Sequence, residues 1–338
     1  MYVAVVLHPD CLKKEYFESE GYSTQARLLF KGIQSNGLII VDSDDRLKRM
    51  VGNAIRGLPT QHGQRLQIWW EEFLKKPKRI VEARPERRAT LQRIDDELLP
   101  GELALKCPVD AVIVEDAREM NEVALSKYDE SEVEERRRSF MDGSGMLDTL
   151  AVEHADDLII RAIRYSKWLR FYDKQIGKGG NNLKAFRRGI GHILSLWQKH
   201  GYFASDKEGQ VTIYTCEADP ILDGEIGRRA DEKRQSNCRA YQSVLKHLID
   251  PLRSEFPGWE IEPCVKRQIK NITHPRHLEA QAAIISFERG FDFLEKSEQV
   301  EYKRTCLHVD NKVREHLAEY RKLPEAEYLK GCPPALGD

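Results

Sequence analysis

The chain has 338 residues, 41% hydrophobic and 32% charged, with a formal net charge of −1. This length and apolar content suit two domains, or one large one, with ordinary cores. The balanced charge excludes binding of nucleic acid through an overall basic field, so any such site must be a local patch.

Seven cysteines, Cys11, Cys107, Cys216, Cys238, Cys264, Cys306 and Cys332, form no Cys-x-x-Cys pair. Their odd number and scattered spacing predict reduced thiols in a cytoplasmic protein, and argue against a disulfide framework or a structural zinc. The opening Met-Tyr-Val-Ala-Val-Val-Leu-His is too short for a signal peptide and has no basic start. No run of about 18 apolar residues occurs, so no membrane span or membrane partner is expected. No cofactor is implied.

In chain order, Tyr2–Leu7 is an apolar, β-branched strand, and Gln25–Gln34 has helical spacing at Leu28, Leu29 and Ile33. Gly37–Val41 is a second strand. The strand ends at Asp42, and Ser43-Asp44-Asp45 then opens a helix with an apolar face of Leu47, Met50, Val51 and Ile55, where acids suit the N-terminus. Gln64–Lys75 is amphipathic, and Asp110–Asp116 is a further strand ending in acids. Lys78–Leu98 and Ser126–Gly145 read as connectors, and the charge block Asp129–Arg138 as a solvated helix face. The expected domains are residues 1–145, a small α/β unit, and 146–338.

The second half alternates more clearly. One helix face runs from Leu147 to Ile163, a strand spans Lys167–Tyr172, and a helix carries Leu183, Phe186, Ile190, Ile193, Leu194 and Trp197. Val211–Cys216 is a strand, Tyr241 to Leu252 a helix, and Trp259–Val265 and Ala282–Phe287 are strands. The fold class expected is α/β in both domains, with a sheet covered by helices and a helical C-terminal tail.

Two strand ends carry the chemistry. Tyr172-Asp173-Lys174 follows one strand, and His274-Pro275-Arg276 stands at the mouth of Ala282–Phe287. Residues i and i+2 of an extended segment share a side, so His274 and Arg276 would project together. An imidazole can attack phosphorus or move a proton, while Arg276 as a fork and Lys174 as a point charge hold phosphoryl oxygens. Asp173 could orient His274 or Lys174. Tyr172, Lys178, Arg170, Lys184 and Arg187 complete a candidate phosphate or nucleic-acid surface, in a stretch where basic and aromatic residues interleave. Gly177, Gly179 and Gly180 would admit a phosphate to backbone amides, but the order does not fit a P-loop. A plain structural role for His274, and a strand with one buried and one basic face, are the simpler accounts.

Residues 150–300 resemble a phospholipase D–like module. The residues that carry the resemblance are Tyr172-Asp173-Lys174 after a strand, then His274-x-Arg276-x-Leu278, an apolar strand and Gly290-Phe291-Asp292. The order is similar to the C-terminal domain of MIT-domain proteins and to bacterial single-module relatives. The wider superfamily implies a phosphohistidine intermediate, with one His attacking phosphorus and a second protonating the leaving oxygen. This chain has Arg276 in place of the signature Lys, with Glu279 and Asp292 as the nearest acids, and carries one such half. A two-His mechanism would therefore need a homodimer. The MIT-type relatives imply a binding module instead.

The sequence thus predicts a phosphodiester-directed protein with DNA or RNA as partner. One form is a metal-independent nuclease acting as a dimer through His274. Another is a non-catalytic module that binds nucleic acid or a protein partner with the same pocket. A third places Mg²⁺ nuclease chemistry on Asp42, Asp44, Asp45, Glu115 and Asp116, against the ordinary reading of these acids as helix caps. Architecture alone is similar to parts of bacterial defence systems against phage.

Overall fold

The computed structural model describes residues 3–76, 79–141, 145–146, 152–176, 182–204, 209–222, 224–267, 276–296, 300–303, 306–309 and 311–332. The chain divides into two units, Met1–Asp142 and Gly143–Asp338, both mixed α/β.

The N-terminal unit contains β1 (Val3–Leu7), α1 (Glu20–Asn36), β2 (Gly37–Val41), α2 (Arg46–Gly57), α3 (Thr60–Leu74), β3 (Ile80–Glu82), α4 (Arg88–Gln92), α5 (Leu99–Lys106), β4 (Ala111–Val114), β5 (Glu122–Ala124) and α6 (Glu132–Met141). Its sheet has the order β3-β2-β1-β4-β5, and every pairing is parallel. The three central strands are buried along their whole length, which is why they read as unbroken apolar runs. Asp42 caps α2: its carboxylate accepts from the amides of Asp44 (3.0 Å), Arg46 (3.0 Å) and Leu47 (2.8 Å). The charge block expected to be a solvated face forms α6, but Glu134 is fully buried. Arg137 and Arg138, one turn on, donate to its two oxygens at 2.6–2.9 Å, and this pairing is what lets a carboxylate face inward.

The C-terminal unit contains β6 (Gly145–Met146), α7 (Val152–Ile163), β7 (Trp168–Asp173), α8 (Leu183–His200), β8 (Gln210–Cys216), α9 (Arg228–Val244), α10 (Asp250–Glu255), β9 (Glu260–Lys266), β10 (Arg276–Ala280), β11 (Ile284–Phe287), β12 (Cys306–Val309) and α11 (Arg314–Lys322). Its sheet order is β6-β12-β11-β10-β7-β8-β9. β7, β8 and β9 are parallel neighbours, and the other pairings are antiparallel. A π-helical stretch, Leu245–Ile249, joins α9 to α10. Pro251, just beyond it, has no N–H to continue the ordinary ladder.

Two expectations are corrected here. Arg276 does not stand before a lone strand: Arg276–Ala280 is itself a strand, hydrogen-bonded to β7 on one side and to β11 on the other. Its polar His277 and Glu279 hide the pattern, since both find partners inside the sheet. The cysteines are also not all thiols. Cys238 on α9 and Cys332 near the C-terminus form a disulfide across a separation of 94 residues, with Cα atoms 5.7 Å apart. That approach is a product of the fold and leaves no trace in local spacing. Cys11, Cys107, Cys216, Cys264 and Cys306 remain thiols.

Among the described residues, no helix is long and apolar enough to cross a membrane.

Candidate functional site

Strand β7 presents different side chains to its two sides, and this sorts the candidate residues. In the antiparallel register with β10, Asp173 lies opposite Arg276 and Arg170 opposite Glu279. Because side chains alternate along a strand, Asp173 and Arg276 share one face with Phe171. Arg170, Tyr172, His277 and Glu279 share the other.

On the first face, Asp173 is 1% exposed. Its Oδ1 accepts from the Gln175 amide at 2.8 Å and its Oδ2 from the Phe291 amide at 3.4 Å. Burial pushes its carboxyl up to about 6, against the opposing pull of these two amides and of the Arg276 guanidinium. Gly290, at φ +73°, makes the close approach possible, since a Cβ there would stand 2.0 Å from Oδ2. Phe291 packs edge-on against Phe171 at 5.0 Å, and its carbonyl oxygen fits against Gly189 of α8, where a Cβ would come within 1.9 Å. The Gly290-Phe291 turn is thus wedged between α8 and the end of β7. Asp292 pairs with Lys303 at 2.6 Å.

Arg276 donates through Nη1 to the Glu288 carbonyl, while its Nε is buried with no hydrogen-bond partner among the described residues. Lys174, one residue beyond β7, is 6% exposed, and no partner for its ammonium occurs among the described residues. The edge formed by the end of β7 and the start of β10 therefore sets Arg276 beside Asp173, with the Asp292 carboxylate also close enough to act on Asp173. Asp173 spends its oxygens on the turn amides beside Arg276 and does not serve Lys174 as expected. His274 and Lys178 lie outside the described residues.

The opposite face differs from expectation. Tyr172 is fully buried, and its hydroxyl donates to Glu279 Oε2 at 2.7 Å and accepts from Arg321 Nη1 at 2.7 Å. Its ring stacks on Tyr214 at 4.7 Å and meets Tyr320 edge-on. This corrects the reading of Tyr172 as a phosphate contact: it is core, with its polar tip satisfied internally. His277 Nδ1 lies 2.6 Å from Ser286 Oγ. Arg170 lies over the Trp168 ring at 4.1 Å and 3.6 Å from Glu279 Oε2. Lys184 is exposed on α8, and Arg187 is paired there with Glu255 at 3.0 Å, so neither joins the strand edge through a described contact.

No protein-family model and no curated protein matches this chain.

The N-terminal unit offers a weaker arrangement. In a doubly wound sheet of this order the crevice lies outside the carboxyl ends of β1 and β4, where the strand order reverses. His8, Asp10, Lys13 and Glu115 meet there, and they pair with one another at 3.6–4.0 Å. Among the described residues, no group of three or more metal-ligating side chains is placed to hold an ion. A cavity of about 330 Å³ opens elsewhere in this unit, lined by Glu18 and Glu20 as well as Arg27 and Arg65. Its mixed charge gives no preference for a phosphate.

Proposed function

We propose that the C-terminal unit holds a phosphodiester at the edge where β7 ends and β10 begins, and that the polymer it engages is nucleic acid. One observation carries the reading: at this edge Arg276 keeps a buried Nε with no hydrogen-bond partner among the described residues, and Lys174 follows directly after the last residue of β7. A donor such as the Arg276 Nε, buried and held at the start of a strand, loses little freedom on meeting phosphoryl oxygens. The arginine supplies a fork and the lysine a point charge. His274, two residues before Arg276, is the group that would attack phosphorus or transfer a proton if holding leads to cleavage. A second copy would then supply the second imidazole. Without that chemistry the same edge is a recognition site.

The test is binding and cleavage of single- and double-stranded DNA and RNA, with and without EDTA, by wild type, Arg276→Gln and His274→Ala. Salt-sensitive binding that Arg276→Gln weakens supports the reading. EDTA-resistant cutting lost in His274→Ala extends it to a metal-independent nuclease. Equal binding by wild type and Arg276→Gln, or none by either, overturns it. EDTA-sensitive cutting that survives His274→Ala would move the activity to the acids of the N-terminal unit.

A further inference from the structure

The sheet face that carries Tyr172 holds an unbalanced set of charges. Glu279 is fully buried, and three guanidiniums converge on its carboxylate. Arg321 Nη1 donates to Oε2 at 2.6 Å, Arg170 Nη1 lies 3.6 Å from the same oxygen, and Arg314 Nη1 lies 3.6 Å from Oε1. At 3.6 Å the last two are ion pairs and not hydrogen bonds. Accordingly Glu279 Oε1 and Arg314 Nη1 are both buried without a hydrogen-bond partner.

The other charged groups that face this patch do not restore the balance. Lys266 reaches over the Tyr214 ring, with its ammonium 5.8 Å from the centroid, and pairs with Glu325 at 3.2 Å. Glu262 is exposed and in register two strands away, opposite Thr212, which itself lies opposite Arg170. Arg170, Arg314, Arg321 and Lys266 thus face Glu279, Glu325 and Glu262, an excess of one positive charge. The three arginine side chains keep 24–29% of their surface exposed. They are half-withdrawn from water yet open on one side, where a missing counter-charge costs most and can still be supplied.

We propose that Arg170, Arg314 and Arg321 form a second anion site that takes a phosphoryl group. Arg314 and Arg321 lie seven residues apart on α11, two helical turns, so both reach the same side of the sheet. Arg170 approaches from β7. The guanidinium forks match phosphoryl oxygens pairwise. The indole of Trp168 under Arg170 gives an aromatic surface beside the phosphate position, which suits a phosphate borne by a nucleotide. This site is separate from the Asp173–Arg276 edge, because residues 170 and 279 face away from 173 and 276. It does not depend on the edge being functional.

The test uses the full chain in the Arg276→Gln background, which weakens the edge as a competing phosphate site. Inorganic phosphate and a short oligothymidylate are titrated by calorimetry, and the side-chain Nε signals of ¹⁵N-labelled arginine are followed. The expected result is saturable binding that shifts a subset of arginine signals, with affinity reduced about tenfold by Arg170→Gln or Arg314→Gln. Glu279→Gln, which removes the internal competitor, should tighten binding. Circular dichroism checks each variant for folding. If Arg314→Gln unfolds, Arg170→Gln alone decides, since Arg170 makes no hydrogen bond to Glu279 that folding would miss. Tighter, salt-dependent binding of the oligothymidylate identifies a nucleic-acid strand as the source of the phosphate, and equal affinities identify a free phosphate or nucleotide. Absence of binding, or binding unchanged by Arg170→Gln and Arg314→Gln together, overturns the proposal.

Discussion

Gly290 and Asp173 stand so close that a single methyl on the glycine would lie 2.0 Å from the carboxylate oxygen Oδ2. The contact joins the turn after β11 to the end of β7, and it sets where the Asp173 carboxylate can sit beside Arg276. Gly290 also has a φ of +73°, which disfavours any other residue.

Gly290→Ala should therefore destabilise the C-terminal unit by about 2 kcal/mol or more, combining backbone strain with displacement of a buried carboxylate. The check is the denaturant midpoint of the variant. A midpoint equal to that of wild type would show that Asp173 is not held as described.

Asp173 should also write a pH dependence into stability. Its folded carboxyl titrates at about 6, above the ordinary 3.8, because burial favours the neutral form. Between roughly pH 4 and pH 6 the folded chain keeps a proton that the unfolded chain has lost, so this group's contribution falls as pH rises through that window, by roughly 3 kcal/mol in all. Denaturation of wild type and Asp173→Asn at several pH values isolates it: the difference between the two should change across the window and level off above it. Phosphate binding at the edge should strengthen below pH 6, where neutral Asp173 no longer competes for Arg276.

Tyr172→Phe should cost about 1–2 kcal/mol of stability, since it removes a donor to buried Glu279 and an acceptor for Arg321. Phosphodiester binding at the β7–β10 edge should be unaffected, because the Tyr172 ring faces the other way. A binding loss without a stability loss would place the hydroxyl in the site after all.

Cys332→Ser should lower stability by about 2–4 kcal/mol through loss of the long loop closed by Cys238–Cys332. Wild type treated with a dithiol reductant should match the untreated variant. Equal stability of oxidised and reduced wild type would contradict this.

What the sequence showed and what it hid follow from distance along the chain. β1, β2 and β4 were legible because parallel strands buried on both faces need continuous apolar residues. β3 and β5 have three residues each at the sheet edges, too few for any periodicity to register. Asp173 stood out at the end of an apolar strand, and Arg276 in the run His274-Pro275-Arg276. Their partner Gly290 was visible only within a short motif. The cluster around Glu279 escaped notice, since its arginines come from position 170 and from α11 and only the tertiary fold unites them. Glu279 drew attention only as an acid near the motif, because the arginines that let a strand carry it inside the sheet come from elsewhere in the chain.

The bond between Cys238 and Cys332 closes nearly the whole distal third of the chain into one covalent ring. A protease that cuts once anywhere inside that ring separates nothing. The nicked protein would travel as a single species on a non-reducing gel and fall into two bands only when a thiol is added, so a fragment map made without reductant would report an intact molecule.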